Sequence, residues 1–357
     1  MNVGEEERKR STVWERTLLV MAGALFAAHV WRYHDYLIDD AFISFRYARN
    51  LISGHGLVYN PGERVEGYTD FLFVVLSAGL MKLGIDPLVG TRLVSFAFAL
   101  VTLGLVAYLE RPAGAGKAAT GLLLSLPAFA YWSAATFETM MFTGLVTGAI
   151  ALTVLEARDG RLRGAAIAFT LAALTRPEGV FLFAATTAAF AVTELLVSRS
   201  LFPLRRHARS VALFAVLFGA YFTWRYSYYG HLLPNTFYAK VTGGEGQLTS
   251  GLVYLWKSTI AAPPLALGLL LPLGFFAARR IEWPAHWRSG AIYLVLVCYV
   301  VYAVGIGGDS MAFARFFVPM LPLCCLLVSW TIRAALPIGW RKRALGGAFF
   351  LNFVPLL

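Results

Sequence analysis

Apolar segments of roughly 15 to 23 residues recur along this chain, and each of them ends at Arg, Lys, Gly or Pro. An α-helix needs about 20 apolar residues to cross the hydrocarbon core of a membrane. Hydrophobic residues make up 58% of the sequence and charged residues 14%, and the mean hydropathy is +0.65. Soluble domains do not have this composition. The sequence therefore predicts an all-α polytopic membrane protein.

The basic loops between the segments predict the topology through the positive-inside rule. The first apolar run, 17–31, follows a basic stretch, so we predict an uncleaved anchor with a cytoplasmic N-terminus. If 71–85 also crossed the membrane, the basic loop at Arg111 would lie outside. This stretch is short and contains Lys82, so we interpret it as an interfacial or re-entrant helix.

These assignments give a bundle of about eleven transmembrane helices in a single domain that covers 1–357. The last segment ends at Leu357 without a polar flank, which leaves open a continuation of the natural chain. After the first span, the predicted spans are 87–109, 118–135, 138–156, 164–175, 178–197, 211–228, 259–278, 289–306, 316–333 and 344–357.

The net charge of +11 does not indicate nucleic-acid binding, because the basic residues lie in short loops between spans rather than on one face. Cys298, Cys324 and Cys325 lie inside predicted spans, so the sequence implies no disulfide framework. We expect a multi-pass protein of the inner (plasma) membrane, with the lipid bilayer as its surroundings.

Chemistry is expected on the extracytoplasmic face, because the predicted cytoplasmic loops hold mostly basic residues without a cluster of His, Asp or Glu. An isolated charge at membrane depth costs about 2.5 to 3.5 kcal/mol, so we expect the charges at the outer span ends to converge and compensate one another. The charged residues assigned to this face are Asp39, Asp40, Glu66, Glu138, Arg176, Glu178, Arg225, Lys240, Asp309 and Arg315.

The first outer loop, 32–86, begins with the adjacent carboxylates of Asp39 and Asp40. Apolar and polar positions then alternate at helical spacing, which predicts a short amphipathic helix that is capped by one of these aspartates and stopped by Gly54. One interpretation gives the aspartates only this capping role. The other is that two like charges so close together raise the pKa of one carboxyl and prepare a general base.

Several stretches resemble the membrane glycosyltransferases of the GT-C superfamily, and more narrowly their terminal arabinofuranosyltransferase branch. The first-loop stretches are the acidic pair, Arg46-Tyr47-Ala48, Gly54-His55-Gly56-Leu57-Val58-Tyr59-Asn60-Pro61-Gly62-Glu63 and Val65-Glu66-Gly67-Tyr68-Thr69. Later stretches are Phe137-Glu138-Thr139, Thr175-Arg176-Pro177-Glu178-Gly179, Arg225 with Tyr228-Tyr229-Gly230, Pro234-Asn235-Thr236-Phe237-Tyr238-Ala239-Lys240, Gly307-Gly308-Asp309 and Arg315-Phe316-Phe317-Val318-Pro319. Members of the family usually carry further spans and an extracytoplasmic C-terminal domain, neither of which is present here.

The resemblance implies transfer of a sugar, a pentose such as arabinofuranose, from a polyprenyl-phosphate donor to an acceptor hydroxyl outside the membrane, with inversion. A departing polyprenyl phosphate is a stable anion, so the site needs one carboxylate to deprotonate the acceptor and cations to hold the phosphate. Asp39 or Asp40 is the candidate base, and the family pattern favours Asp39. The acceptor class stays open between a cell-envelope polysaccharide, a lipopolysaccharide and a protein.

Lys240, Arg176 and Arg315 are the candidate phosphate clamp, since each lies at an outer span end. Alternatively, Arg176 pairs with Glu178 or Glu138, and Lys240 merely extends its charge from an interfacial helix. The candidates for sugar or acceptor binding are Glu138, Asp309, His55, Tyr59, Glu66, Tyr68, Arg225 and Asn235. No cofactor is expected and the histidines show no zinc-ligand spacing, although a divalent cation at Asp39 and Asp40 is left open.

Two other functions compete with this interpretation. A secondary transporter would have two related halves with broken helices at corresponding positions, and the proline-rich segments at 262–264 and 318–322 have no counterpart in the first half. A non-catalytic lipid-binding subunit with the same fold would be expected to lose the acidic pair, and here both aspartates are present.

Overall fold

The structure is a computed structural model that describes residues 3–111, 117–159, 163–200, 202–236, 246–278 and 286–353. Within these ranges every regular element is a helix. The α-helices are α1 Val3–Tyr33, α2 Asp40–Ile52, α3 Phe71–Lys82, α4 Pro87–Leu109, α5 Ala118–Leu124, α6 Pro127–Ala134, α7 Thr139–Asp159, α8 Arg163–Thr175, α9 Glu178–Ser198, α10 Phe202–Tyr229, α11 Gln247–Ala261, α12 Pro263–Ala277, α13 Trp287–Gly305, α14 Leu321–Ala335 and α15 Ile338–Leu351, and a 3₁₀ helix covers Arg315–Met320.

Prolines break two of the predicted spans. The segment predicted as 118–135 forms α5 and α6, and α6 begins at Pro127, whose fixed φ suits the first helical turn. The segment predicted as 259–278 runs across Ala262, where α11 and α12 meet at an angle of 100°. Pro263 and Pro264 cannot continue α11, because proline lacks the backbone N–H that the helix needs.

The predicted number of about eleven spans is not confirmed. In the described part of the chain, five helices are long and apolar enough to cross a membrane, or six if the bent pair of α11 and α12 forms one span. The apolar helix over the stretch that contains Lys82 is α3, with 12 residues. It is among the shorter apolar helices, and its interfacial or re-entrant placement stays a prediction. The chain is an all-helical, multi-pass membrane protein.

Most helices pack through two large hydrophobic clusters, and Val154 and Trp330 contact both of them. One cluster contains Trp132 of α6 and residues of α1, α4 and α14, and the other contains Phe169 of α8 and residues of α9 and α13. A third, smaller cluster packs α2, α3 and the first loop against Tyr229 of α10. Gly144 of α7 faces α4, where an added Cβ would lie 2.7 Å from a carbon of Phe98. Small residues let helices approach closely where lipid supplies no hydrophobic driving force.

Charged and polar side chains gather at the two ends of the bundle, which we name by one residue each. The Asp39 end holds the segments 34–39, 53–70, 135–138, 176–177, 230–236 and 306–314. The Arg111 end holds 110–111, 117, 286 and 336–337. The candidate residues that the structure describes lie at the Asp39 end.

Candidate active site

The acidic pair begins the amphipathic helix α2, as predicted. Asp39 is the N-cap residue, and its Oδ1 accepts the backbone N–H of Asp40 at 3.0 Å. Asp39 is exposed and Asp40, the first residue of α2, is half-buried. The helix ends at Ser53, and Gly54 follows with a φ of +82°, a conformation that glycine adopts without strain. Capping uses only part of the Asp39 carboxylate, so the cap and a role as a base are compatible.

One helical turn further along α2, a serine contacts the buried carboxylate of Asp70, which precedes α3. Ser44, four residues after Asp40, donates from Oγ to Oδ2 of Asp70 at 2.6 Å. Four residues rise about 6 Å along an α-helix, so Asp40 and Ser44 share one face. Asp70 is 5% exposed, and burial raises its pKa. The hydrogen bond from Ser44 and the positive charges of Arg176 and Arg315 lower the pKa but do not cancel this effect. The acidic pair therefore stands beside a buried polar region.

Sequence reasoning did not include Asp70 among the candidate site residues. An aspartate directly before an apolar helix is most simply interpreted as a helix cap. Asp70 does precede α3, but its side chain makes no capping hydrogen bond and points its Oδ2 at Ser44 instead. Only the packing of α2 against α3 reveals this contact.

Arg176 is the centre of a buried ion cluster. Its Nη1 donates to Oε1 of Glu138 at 2.8 Å, and its Nη2 and Nε donate to the two oxygens of Glu178 at 2.7 and 3.3 Å. All three side chains are less than a tenth exposed. Arg176 therefore forms both of the ion pairs that were the alternative to phosphate binding. A role of Arg176 in phosphate binding stays a prediction.

The tight connection between α8 and α9 fixes this arginine. Pro177 follows it, and at Gly179 an added Cβ would lie 2.4 Å from the backbone nitrogen of Ala173. A side chain larger than hydrogen would push α9 away from α8. The turn thus places Arg176 and Glu178 side by side, facing the loop that carries Glu138.

Arg315 and Asp309 extend the cluster. The Nε of Arg315 lies 2.8 Å from Oδ2 of Asp309, and these side chains are 13% and 12% exposed. The guanidinium of Arg315 also lies over the rings of Phe137 and Phe316, and that of Arg176 lies over Phe316. Because Arg315 is the more accessible of the two arginines, it is the better placed to meet an anionic ligand.

Glu138 combines a raised pKa with an unused oxygen. Burial raises its pKa to about 7, although Arg176 and Arg315 act in the opposite direction. Its Oε1 accepts from Arg176, but its Oε2 is buried and has no hydrogen-bond partner among the described residues. Buried polar atoms are almost always hydrogen-bonded in native proteins. This oxygen is thus available to a hydroxyl of a bound sugar.

A second buried ion pair joins the first loop to α10. Arg225 donates to both carboxylate oxygens of Glu66, and its Nη1 also donates to the carbonyls of His231 and Leu232 at 3.2 and 2.9 Å. Both side chains are about 5% exposed. Their polar atoms hold 53–70 onto α10, and the contact of Glu66 and Arg225 with sugar stays a prediction.

Tyr68 also takes part in holding the first loop in place. It is 3% exposed, and its hydroxyl lies 3.1 Å from that of Tyr229, which donates to the carbonyl of Leu57 at 2.8 Å. Burial raises the pKa of Tyr68. Tyr47 acts in a similar way, since its hydroxyl donates to the carbonyl of Val65 at 2.7 Å. These tyrosines hold the loop backbone, and the contact of Tyr68 with sugar stays a prediction.

Three other predicted residues are accessible. His55 is exposed, and Tyr59 is 45% exposed beside a surface cavity of about 310 Å³. Asn235 is exposed, and its backbone N–H donates to the carbonyl of Glu66 at 3.1 Å. The prediction for Lys240 lies outside the described residues. In the described ranges, no group of three or more His, Cys, Asp or Glu side chains is placed to hold a metal ion.

Comparison with solved structures identifies the fold. The chain aligns over 94% of its length with ArnT from Cupriavidus metallidurans in the apo state, at a TM-score of 0.65, 18% identity and 63% coverage of that chain. ArnT of the same organism bound to undecaprenyl phosphate aligns with the same identity and coverage at a TM-score of 0.61. This chain has the GT-C fold. The fold predicted from the sequence is confirmed.

Two curated proteins support the narrower resemblance. The chain is 28% identical over 299 residues to a terminal beta-(1->2)-arabinofuranosyltransferase of Mycobacterium tuberculosis, covering 76% of this chain and 45% of the relative. It is 26% identical over 378 residues to the protein of the same name in Corynebacterium glutamicum, covering 91% and 52%. The chain thus resembles the terminal arabinofuranosyltransferases, as the sequence motifs predicted.

The chain spans about half the length of the curated relatives it matches. No family model matches the sequence. These similarities do not favour the transporter or the lipid-binding subunit, which the sequence had left as alternatives.

Proposed function

We propose that this GT-C chain transfers a sugar from a polyprenyl-phosphate donor to an acceptor hydroxyl, with inversion at the anomeric carbon. The observation that carries the proposal is the position of the Asp39–Asp40 pair, one helical turn from the contact of Ser44 with buried Asp70. The names of the curated relatives and the undecaprenyl phosphate bound to ArnT support the same donor chemistry.

In the proposed reaction, the acceptor oxygen forms a bond to the anomeric carbon while the bond from that carbon to the phosphate oxygen breaks. The electron pair of the broken bond leaves with the polyprenyl phosphate. The acceptor proton passes to the carboxylate of Asp39, which is exposed and bound only to a backbone N–H in the described contacts. Asp40 either stabilises the protonated form of Asp39 through its own negative charge or shares the proton with it.

The leaving phosphate is held by cations at the same end of the bundle. Arg315 is the strongest described candidate, because it is partly exposed and lies next to the rings of Phe137 and Phe316. Lys240 is assigned to the same clamp on its sequence motif. Arg176 acts on the phosphate only through its positive charge, since its described donors are used by Glu138 and Glu178.

Glu138 and Asp309 are proposed to orient sugar hydroxyls, Glu138 through its unpartnered Oε2. His55, Tyr59 and Asn235 are proposed to contact the sugar or acceptor from the rim. The donor sugar is a pentose such as arabinofuranose, and the acceptor is a cell-envelope polysaccharide, lipopolysaccharide or protein. The site faces the extracytoplasmic side of the inner membrane, and the reaction as proposed uses no metal ion.

The test is transfer by the purified full-length chain in lipid nanodiscs. Polyprenyl phosphates that carry arabinofuranose, another pentose or a hexose are supplied as donors, with short arabinan, lipopolysaccharide and peptide acceptors. We expect a glycosylated acceptor with inverted anomeric configuration from at least one polyprenyl donor, and none from a nucleotide sugar. Absence of transfer from every polyprenyl donor, in protein that still binds those donors, would reject catalysis in favour of a lipid-binding function.

A further inference from the structure

A surface cavity of about 310 Å³ lies at the Asp39 end, between α2 and the first loop. Its walls include Ile43 and Tyr47 of α2 and, from the loop, Tyr59, Asn60 and Glu63. Glu63 is the only charged residue among the described lining residues. The volume is at the lower end of the range of ordinary ligand pockets, so the cavity accommodates one small group rather than a large ligand.

Hydrogen bonds from α2 hold the walls of this cavity in place. The Nδ2 of Asn50 and the Nε of Arg46 both donate to the carbonyl of Tyr59, at 2.8 and 3.1 Å. The hydroxyl of Tyr47 donates to the carbonyl of Val65 at 2.7 Å on the other side of the cavity. The cavity is therefore formed before a ligand binds, and this lowers the entropic cost of binding.

The turn that carries the two polar wall residues is fixed by local geometry. The backbone N–H of Glu63 donates to the carbonyl of Asn60 at 3.1 Å, and Gly62 has a φ of +93°. Pro61 followed by a glycine at positive φ is the pattern of a type II β-turn. The Nδ2 of Asn60 also donates to Oε2 of Glu63 at 3.2 Å. The turn therefore presents an amide and a carboxylate side by side at the cavity.

The exposed groups of the cavity suit a carbohydrate. Tyr59 is 45% exposed, and Asn60 and Glu63 are exposed. A sugar combines an apolar C–H surface, which packs on an aromatic ring, with hydroxyls that both donate and accept hydrogen bonds. A carboxylate accepts from such hydroxyls, and an amide both donates and accepts. The negative charge of Glu63 disfavours a phosphate or another anion in the same place.

A peptide suits the cavity less well. Peptides are recognised by an open sheet edge, by an apolar groove that takes a helix, or by an aromatic groove that takes a proline-rich segment. The described residues form no strand, and the lining offers one exposed aromatic ring beside a polar turn. The chemistry of the walls therefore favours a glycan over a peptide.

Helix α2 connects this cavity to the candidate base. The backbone of Asp39 is already helical, with φ −60° and ψ −38°. Asp39, Ile43 and Tyr47 recur at every fourth position and so lie along one face of the helix. The helical rise places Ile43 about 6 Å and Tyr47 about 12 Å from Asp39 along the axis. A chain of linked sugars spans this distance, whereas a single sugar held at Asp39 does not.

We propose that the cavity is an acceptor subsite, which binds a sugar unit linked behind the one whose hydroxyl reacts. The ring of Tyr59 packs on that sugar, and Asn60 and Glu63 bind its hydroxyls. The subsite rests on the proposed function, and it narrows the acceptor to a glycan chain, either a polysaccharide or the sugar part of a lipopolysaccharide.

The first test is binding to the full-length chain in lipid nanodiscs, measured by isothermal titration calorimetry without a donor. The probes are methyl arabinofuranoside, linear arabino-oligosaccharides, the core oligosaccharide of a lipopolysaccharide, and a peptide. Tyr59→Ala removes the ring, and Glu63→Gln removes the negative charge while it can still accept from Asn60. The control is Tyr226→Ala, because Tyr226 is 46% exposed and lies on α10 outside the cavity lining. Melting temperatures show whether each variant is folded.

We expect oligosaccharides of one source, arabinan or lipopolysaccharide core, to bind saturably. Their affinity should fall by about tenfold or more in Tyr59→Ala and in Glu63→Gln, and should be unchanged in Tyr226→Ala. The source that binds identifies the acceptor. Equal affinity in the wild type and the cavity variants, binding of the peptide alone, or no binding of any oligosaccharide would overturn the subsite.

Transfer kinetics separate the subsite from the reaction itself. In Tyr59→Ala, the KM for oligosaccharide acceptors should rise by about tenfold, while the KM for methyl arabinofuranoside and the KM for the donor stay at the wild-type values. An equal change for short and long acceptors would overturn the subsite and leave the transfer reaction standing. Absence of transfer by the wild type, together with oligosaccharide binding that depends on Tyr59, would reject the proposed function and leave a glycan-binding cavity.

Discussion

The two ends of the bundle differ in how many of their described arginines are paired with buried carboxylates. At the Asp39 end, Arg176, Arg225 and Arg315 each lie against at least one carboxylate, and all three are mostly buried. At the Arg111 end, Arg206 pairs with Glu194, and the guanidinium groups of Arg111 and Arg288 lie over the rings of Tyr108 and Trp287. A buried charge has to be paired, whereas a charge that faces an open cavity can be paired by a ligand.

This difference separates two functions of charge within one fold. The paired arginines connect loops to helices, whereas Asp39 and one oxygen of Glu138 have no ion-pair or hydrogen-bond partner on another side chain among the described residues, and there we propose that substrate binds. At the opposite end, Arg206 of α10 forms an ion pair with buried Glu194 of α9. Substitutions of paired and unpaired groups test this comparison, because a paired group should affect stability and an unpaired one should affect activity.

The largest expected effect is on stability, from Arg176→Gln. This change leaves the buried carboxylates of Glu138 and Glu178 without their cation, which costs about 3 to 5 kcal/mol for a buried pair. We expect a lower melting temperature and lower yield of folded protein. Arg163→Gln, an exposed change at the opposite end of α8, is the matched control. Normal melting with lost donor affinity would show instead that Arg176 is a phosphate ligand.

The next effect is on turnover, from Asp39→Asn. Asparagine caps helices as well as aspartate does, so α2 is expected to persist while the base is lost. We expect kcat to fall by about 10²-fold or more, with donor binding retained. The control is Asp86→Asn, because Asp86 caps α4 in the same way and lies outside the candidate site. Near-normal turnover in both Asp39→Asn and Asp40→Asn would show that the acidic pair only caps α2 and takes no part in catalysis.

A smaller effect is expected on donor affinity, from Arg315→Gln. A charge-assisted hydrogen bond contributes about 1.5 to 3 kcal/mol, so we expect polyprenyl-phosphate donors to bind roughly tenfold more weakly. Asp309→Asn is the informative partner variant, since it removes the other half of the ion pair but keeps the cation. If Arg315 holds phosphate, donor affinity falls only in Arg315→Gln. Equal loss in both variants would indicate that the pair acts by supporting the loop.

The smallest effect is on the pH dependence of stability, through Glu138. Burial raises the pKa of this carboxyl from 4.5 to about 7 in the folded protein, so folding favours its protonated form. The stability that this adds is complete below about pH 4.5 and is lost as the pH rises through 7. The glutamine in Glu138→Gln does not titrate. Between pH 4.5 and 7, the melting temperature of this variant should therefore rise relative to that of the wild type by about 2 to 4 °C.

Exposed Glu63→Gln is the control for this measurement. A constant difference in melting temperature between Glu138→Gln and the wild type across the window would show that Glu138 stays ionised beside Arg176.

The parts of the site that were predictable from the sequence are local. Asp39 and Asp40 could be placed at the start of α2 because capping and helical spacing act within a few residues. The pairing of Arg176 with Glu178 was among the stated alternatives because the two residues are separated by one position. The contact of Glu66 with Arg225 was missed because 159 positions separate them in the sequence.

The sequence by itself determined that the chain is all-helical and membrane-embedded, where most of its helices begin and end, and which family its motifs resemble. These properties depend on composition, on local backbone preferences and on short motifs. Tertiary structure decided which charges are satisfied inside the protein and which face a cavity. Packing placed Asp70 beside Ser44 and Glu66 beside Arg225, and the energy of a buried charge depends on partners that only packing brings within reach.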